Sequence, residues 1–224
     1  MAQANTGTCE LCGKQAPKPR MARHIAHCAP AHDASGPPTL LVLLRVEAAE
    51  DPRYWLDIET KSATTLQQLD ALLRRVWVEC CGHMSAFRIG QREVAMRSQM
   101  GAVLERRGQK FTYDYDFGST TTLRGQVVGG RQGSLGRRAL RLLARNDPLQ
   151  WTCHACTQPA TIVCPFCVDS GPSLFCVRHA QEHQCAEEGA YLPVVNSPRM
   201  GVCAYARVNR CTRETQPQPP GCGA

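Results

Sequence analysis

Apolar residues recur with a helical period in one stretch and as short runs elsewhere, and this pattern places the main elements between residues 39 and 128. A run of leucine and valine from Thr39 and a second run at 54–58 predict strands. From Thr64 or Thr65 the apolar positions repeat every three or four residues, which predicts a threonine-capped amphipathic helix. Its apolar face consists of Leu66, Leu69, Leu73, Val76 and Trp77. We therefore expect this helix to pack against a sheet.

Alternation of aromatic and polar residues marks positions 110–118 as a half-buried strand. The apolar face is formed by Phe111, Tyr113, Tyr115 and Phe117. Asp114 and Asp116 fall on the opposite face and could form a paired-carboxylate site, but acidic side chains on an exposed face are usually solvated, so we expect both carboxylates to face water. Residues 121–128 form the expected antiparallel partner, and residues 85–89 predict another short strand.

The predicted fold class is α+β, with a central antiparallel or mixed sheet, packed helices and small zinc-binding modules on its flanks. A chain of 224 residues is long enough for one ordinary core plus such appendages. Residues 29–38 read as a flexible linker, so the first module is expected to be separate from the core. The predicted divisions are 1–36 for a zinc finger and linker, 39–148 for the α+β domain, 149–211 for a second zinc module, and 212–224 for a disordered tail.

The cysteine content and the N-terminus together indicate a reducing compartment. The first residues are polar and lack the apolar core of a signal peptide, and no segment approaches the roughly 20 apolar residues that span a bilayer. We therefore expect no membrane association and a cytoplasmic location. Thiols stay reduced there, so the 14 cysteines are better interpreted as metal ligands, where they form spaced pairs, than as disulfides.

Eight metal-ligand candidates fall close together near the C-terminus. They are Cys153, Cys156, Cys164, Cys167, Cys176, His179, His183 and Cys185. A closed zinc site needs four thiolate or imidazole donors, so eight donors predict two sites. In the expected cross-brace, one ion is held by Cys153, Cys156, Cys176 and His179, and the second ion by the other four residues. Other pairings of the half-sites remain open. This ligand order resembles the B-box and related interleaved zinc modules.

A third set of ligands lies near the N-terminus. Cys9 and Cys12 are followed by His24 and Cys28 with the spacing of a single zinc finger whose last ligand is cysteine. His24 and Cys28 are four residues apart and would share one face of a short helix. His27 is a competing ligand with a less suitable spacing. The sequence therefore predicts three Zn²⁺ ions in all.

The helix, residues 82–87 and residues 110–118 together resemble the plasmid pRi ORF-3-like family, also labelled transposon-passenger or TnpR-like. The resemblance spans about residues 39–130 and implies an α+β domain. It marks His83 as the family's best-preserved polar candidate, for which a structural role is favoured over a catalytic one. Residues 192–203 resemble the tail that follows such a zinc module in longer family members. Cys203 is therefore a reserve ligand for the C-terminal module.

This chain departs from the family pattern at three positions. The family commonly has a second histidine where Ser85 stands, and an aspartate and a tryptophan where Ser119 and Thr121 stand. If those residues serve a pocket in the family, that pocket is altered here.

Cys80 and Cys81 have no second spaced cysteine pair near them, so the expected role of both is packing.

The basic charge of the chain comes mainly from arginine, which supplies 22 of its 26 cationic side chains. The formal net charge of +7 falls to about +4 once three zinc sites of about −1 each are included. Arg137, Arg141 and Arg145 are spaced by four and would line one face of a short helix. This face could contact nucleic-acid phosphates or could simply be solvated.

Three classes of function are compatible with these features. A zinc-stabilised binding protein of mobile-element-related origin, contacting nucleic acid or a protein partner, accounts for most of them. A pure protein-protein interaction adaptor is the first alternative. An enzyme with a site around His83 is the second alternative, and it is disfavoured because every predicted metal site has a full set of four ligands.

Overall fold

The computed structural model describes residues 5–104, 106–185 and 190–206 of the chain. The strands are β1 (Thr6–Cys9), β2 (Gln15–Pro17), β3 (Thr39–Ala48), β4 (Trp55–Lys61), β5 (Ser85–Ile89), β6 (Arg92–Val94), β7 (Lys110–Tyr115), β8 (Thr121–Gly133), β9 (Leu140–Asn146), β10 (Ile162–Val163), β11 (Leu174–Phe175) and β12 (Leu192–Pro193). The α-helices are α1 (Lys18–Ala31), α2 (Leu66–Leu73), α3 (Met100–Val103) and α4 (Val177–Glu182), and a π-helical turn at Arg74–Val78 extends α2.

Two sheets organise these strands, and all described pairings within them are antiparallel. The large sheet has nine strands in the order β2-β1-β9-β4-β3-β8-β7-β5-β6. The small sheet has the order β11-β10-β12 and belongs to the C-terminal zinc module. The fold is therefore α+β and mainly sheet, as the sequence predicts. None of the helices in the described ranges has the length and apolarity needed to cross a bilayer.

The amphipathic helix packs on one face of the large sheet, as expected. Thr65 caps α2 through a capping box with Gln68, which satisfies two backbone N–H groups that would otherwise lack partners. The predicted apolar residues of this helix are all buried, and Trp77 in the π-helical turn has no exposed surface. They form the main core together with the aromatic residues of β7 and the inward side chains of β3 and β4.

The N-terminal finger joins the large sheet, which differs from the expected separate module. Its strand β1 pairs with β9, and Gly7 lies opposite Asn146. A Cβ atom at Gly7 would lie 2.4 Å from the ring of Trp55 and 2.3 Å from the carbonyl oxygen of Arg145, so only glycine allows this approach. Helix α1 then covers Trp55 with the buried residues Met21 and Ile25.

The predicted helix over Arg137, Arg141 and Arg145 is wrong, because residues 140–146 form strand β9 inside the large sheet. Leu142 packs on the main core, whereas Leu143 packs with the residues under α1, so both faces of this segment are covered. A helical stripe would bury one face alone. Two buried faces favour a strand in the interior of a sheet.

These arginines consequently form no common basic face. Arg141 is largely buried and donates to Glu59 at 2.7 Å. Arg145 donates to the carbonyl oxygen of Asn196 at 3.1 Å, while Arg137 precedes the strand and is exposed.

The expectation of solvated carboxylates at Asp114 and Asp116 is also wrong. Both residues are 7% exposed. Asp114 pairs with Arg88 of the neighbouring strand β5 and accepts a hydrogen bond from Thr122. Asp116 accepts a 2.5 Å hydrogen bond from Arg199, which lies in the segment that follows the C-terminal module. Residues 195–205 thus return to the main sheet after the zinc module.

The predicted disordered tail, 212–224, lies outside the described residues, and so do Cys211 and Cys222.

Candidate metal centres

All twelve cysteines of the described ranges fall into four clusters, and each cluster contains three cysteines and one histidine. We name them the finger cluster (Cys9, Cys12, His24, Cys28), the first module cluster (Cys153, Cys156, Cys176, His179), the second module cluster (Cys164, Cys167, His183, Cys185) and the tail cluster (Cys80, Cys81, His83, Cys203). Within each cluster the potential ligand atoms lie within 4.8 Å of one another. The structure thus brings together the three predicted sets and adds a fourth.

The distances inside the clusters match the edges of a metal-centred tetrahedron. Zinc bonds of about 2.3 Å to sulfur and about 2.0 to 2.1 Å to nitrogen imply sulfur–sulfur edges of about 3.8 Å and sulfur–nitrogen edges of about 3.6 Å. Recorded sulfur–sulfur distances run from 3.5 to 4.0 Å, and sulfur–nitrogen distances run from 3.2 to 3.6 Å. A disulfide would need a sulfur–sulfur distance near 2.05 Å. Each cluster could therefore hold one metal ion.

The finger cluster is built by a tight hairpin and the helix that follows it. Cys9 ends β1, and Gly13 adopts a positive φ of 74° and donates its N–H to the carbonyl oxygen of Cys9. This turn brings Cys12 to within 3.2 Å of His24 Nε2 on α1. His27, the competing ligand, instead contacts the carbonyl oxygen of Arg23 through Nδ1 at 2.9 Å.

The two module clusters interleave in the predicted cross-brace order. In the first module cluster, His179 on α4 directs Nδ1 toward Cys176 at 3.3 Å. In the second, His183 directs Nε2 toward Cys167 at 3.4 Å. Phe175 directly precedes Cys176 of the first module cluster, and its ring packs 4.4 Å from the ring of His183 of the second, centroid to centroid. The aromatic contact therefore helps to hold the ring of the second histidine in place.

The tail cluster joins two segments that are far apart in sequence. Cys81 Sγ lies 3.5 Å from Cys203 Sγ, and His83 Nε2 lies 3.3 Å from the same sulfur atom. The prediction of a packing role is wrong for Cys81, which is exposed. Cys203 was expected to support the C-terminal module, and it joins the tail cluster instead. One signal was present in the sequence, because residues 80–83 offer three donors in four positions.

Charged groups surround the tail cluster. Arg199 donates its Nε hydrogen to Cys80 Sγ at 3.4 Å, and Tyr115 Oη lies 3.8 Å from the same atom. Burial raises the pKa of Cys80, but the hydrogen bonds from Arg199 and Tyr115 outweigh it, so the pKa is lowered overall. The same arginine lowers the pKa of Asp116, whose Oδ1 lies 3.7 Å from Nδ1 of His83.

Comparison with known proteins gives distant structural similarity and no family. No family model matches the chain. No curated protein matches it. Among solved structures, a protein of unknown function from Methanosarcina mazei Go1 is similar, with a TM-score of 0.41 and 15% sequence identity over 47% of this chain and 68% of that chain. The plasmid pRi ORF-3-like assignment of residues 39–130 stays a prediction.

Proposed function

We propose that this chain is a zinc-stabilised protein-binding protein whose partner docks on the C-terminal zinc module. The supporting observation is a set of exposed apolar side chains around the module's metal centres. They are Phe166, Val168, Val177 and Tyr191, with exposed fractions of 44%, 36%, 59% and 37%. Aromatic residues of this kind are enriched at the centres of protein interfaces.

The construction of the module explains why these side chains can face solvent. A small domain held by zinc needs little apolar core, because metal bonds supply its folding free energy. Phe166 lies between Cys164 and Cys167, so its backbone is held by two ligands of one cluster. Tyr191 lies against His183 of the same cluster, with ring centroids 6.1 Å apart. The second module cluster thus presents two aromatic side chains in a rigid setting.

The charge of the module favours a protein partner over a phosphate backbone. Its described residues include the cations Arg178 and Arg199 and the anions Asp169 and Glu182. Arg199 is fully buried, and Arg178 is paired with Glu182 at 3.0 Å. Three thiolates, one neutral imidazole and one Zn²⁺ give each centre a charge of about −1. The described part of the module is therefore negative when two zinc ions are bound.

A nucleic-acid partner is the second candidate function, on a different surface. Of the arginines predicted to contact nucleic acid, Arg141 and Arg145 donate hydrogen bonds within the fold. Other cationic side chains lie in a row on the large sheet. Thr112 pairs with both Arg88 and Arg124 across neighbouring strands, which places these arginines on one face, with Lys110 two residues along. Arg88 is ion-paired with Asp114 on that face, so Arg124 and Lys110 are the cations left for a phosphate. The mobile-element origin rests on the resemblance over residues 39–130 alone.

An enzyme around His83 gains little support. Two surface cavities among the described residues, of about 230 and 460 Å³, are lined by no residue of the four clusters. His83 itself lies against Cys203, which fits a ligand rather than a free general base.

The docking proposal is tested with a photo-crosslinking amino acid at position 166. The zinc-loaded chain is used as bait in an extract of its native host. We expect a discrete protein to be captured, and its yield to fall at least about 10-fold in a second bait with Val168→Ser and Tyr191→Ser, because loss of an interface anchor typically costs about 2 kcal/mol.

The matched control is Leu40→Ser in the same crosslinking bait, since Leu40 is 51% exposed but lies on the large sheet. This change should leave capture intact. Equal yields from the control and the double variant, with metal content unchanged in both, would refute docking on the module. Capture of nucleic acid that falls with salt, with a slope of about 0.9 per phosphate for duplex DNA, would favour the second candidate.

A further inference from the structure

We infer that the tail cluster is a fourth zinc site, held by Cys80, Cys81, His83 and Cys203, which fastens the C-terminal segment to the central domain. It has the same donors, three thiolates and one imidazole, as the three clusters that the ligand spacing predicts. Such a donor set selects zinc over the hard cations that prefer oxygen ligands. The inference does not depend on the partner proposed above.

The geometry of the cluster is that of the other three. Its recorded sulfur–sulfur distance of 3.5 Å and its sulfur–nitrogen distance of 3.3 Å lie close to those expected for a zinc-centred tetrahedron. His83 directs Nε2 at Cys203 while Nδ1 faces Asp116. A carboxylate beside the second ring nitrogen is a common arrangement for zinc-bound histidine, because it orients the ring and makes it a better ligand.

A buried arginine offsets part of the charge that such a centre would carry. Three thiolates and one Zn²⁺ leave about one negative charge. Arg199 is fully buried and donates to both Cys80 Sγ and Asp116, so one guanidinium offsets part of the negative charge of the centre and also holds the carboxylate that faces His83. Hydrogen bonds to a coordinating sulfur of this kind are typical of the outer shell of metal sites.

The backbone is shaped to bring Cys203 to the cluster. Cys203 and the following Ala204 both have positive φ values, 50° and 53°, in a region that residues other than glycine rarely adopt. Such strain persists where the surrounding structure fixes it, and a metal bond at Cys203 would do so. Two buried residues, Arg199 and Tyr205, anchor the chain on either side.

The bound ion would therefore cross-link the C-terminal segment to the end of α2. Cys80 and Cys81 follow the π-helical turn at the end of α2, and Ser197 donates to the carbonyl oxygen of Trp77 in that same turn at 2.7 Å. The C-terminal segment is thus already laid along the end of the helix. A bound ion would close a loop of about 120 residues between Cys81 and Cys203, and cross-links across long loops restrict the unfolded chain most.

Metal content of the intact chain is the first test. Protein purified with zinc and then freed of unbound metal should contain four zinc ions per chain by elemental mass spectrometry. X-ray absorption should report three sulfur ligands for each nitrogen, averaged over all sites. Three ions per chain would overturn the inference, and so would a Cys81–Cys203 disulfide in the native protein.

Alkylation of the native protein gives a second measure that needs no variant. Cys12, Cys81 and Cys203 are all exposed, and Cys12 belongs to a cluster that the sequence predicts to hold zinc. If the tail cluster holds an ion, Cys81 and Cys203 should react as slowly as Cys12 and accelerate with it when a chelator is added. Fast alkylation of Cys81 and Cys203 beside a protected Cys12 would show an empty tail cluster.

Variants locate the fourth ion. Cys203→Ser should lower the content from four ions to three, expose Cys81 to alkylation and leave Cys12 protected. Cys12→Ser, the matched control, should also lose one ion but leave Cys81 protected. Retention of four ions in Cys203→Ser would overturn the assignment of this residue. The two wild-type measurements decide the question if Cys203→Ser does not fold.

Discussion

Replacement of Arg141 by methionine separates the two roles considered for this residue. Arg141 and Arg131 face Glu59 and Asp33 in one ion-pair network that joins β4, β8 and β9 to the end of α1. The Glu59 side chain is 3% exposed and that of Arg141 is 9% exposed. The network contains two cations and two anions, so loss of Arg141 leaves an uncompensated negative charge inside it.

The expected cost follows from burial. Removal of one partner from a buried ion pair typically destabilises a protein by about 3 to 5 kcal/mol. Arg131 still contacts Glu59 at 2.7 Å in the variant, so we expect a loss near the lower limit, about 3 kcal/mol. Arg141 also donates to the carbonyl oxygen of His32 at 2.7 Å, and that acceptor would lose its partner as well.

The assay is denaturant unfolding at a fixed zinc concentration, because metal that binds the folded state shifts apparent stability. Arg137→Ala is the control, since Arg137 is exposed, and it should change the unfolding free energy by less than about 0.5 kcal/mol. A second variant, Arg141→Met with Glu59→Gln, should recover part of the loss because the unpaired charge is removed. An Arg141→Met protein as stable as the control would refute the network as a source of stability.

Two further predictions address strand β1 and the C-terminal segment. Gly7→Ala should destabilise the protein by about 1 to 3 kcal/mol in denaturant unfolding, because its Cβ would overlap the Trp55 ring, whereas Gly171→Ala, with open space around it, should not. Equal stability of these two variants would contradict the close approach of β1. Arg199→Met should speed proteolysis within residues 190–206 at constant zinc, and unchanged cleavage there would show that the Asp116 contact does not hold the segment.

Much of the central domain was predictable because its signals are local. The capped helix with its apolar stripe, the aromatic alternation of β7 and the strands β3 and β4 each depend on residues within one element. Phe117, predicted on the same aromatic face, instead lies beyond the end of β7 and is 50% exposed. A period of 3.6 or 2 in such a segment determines which face is buried whatever it packs against. The α+β class follows from these elements, and the structure confirms it.

Metal ligands within a short span were predictable for a similar reason. The finger and module ligands lie in spaced pairs within about 20 to 35 residues, so turns and a short helix suffice to bring them together. The structure groups the same twelve residues in the same three sets. The tail cluster has no such local pattern, because Cys203 lies 120 residues from His83 and meets it only when residues 195–205 fold back on α2.

The remaining differences arose where partners come from distant parts of the chain. Residues 140–146 could supply an apolar stripe to a helix, but the main core and the layer under α1 cover both of their faces, and this decides for a strand. Asp116 has a polar side chain on an apparently exposed face, yet Arg199 buries it by a contact across 83 residues. Sequence alone determines the elements that have a clear local period and the ligands that lie close together in the chain, whereas the strand at residues 140–146, the burial of charge and the fourth cluster depend on long-range packing.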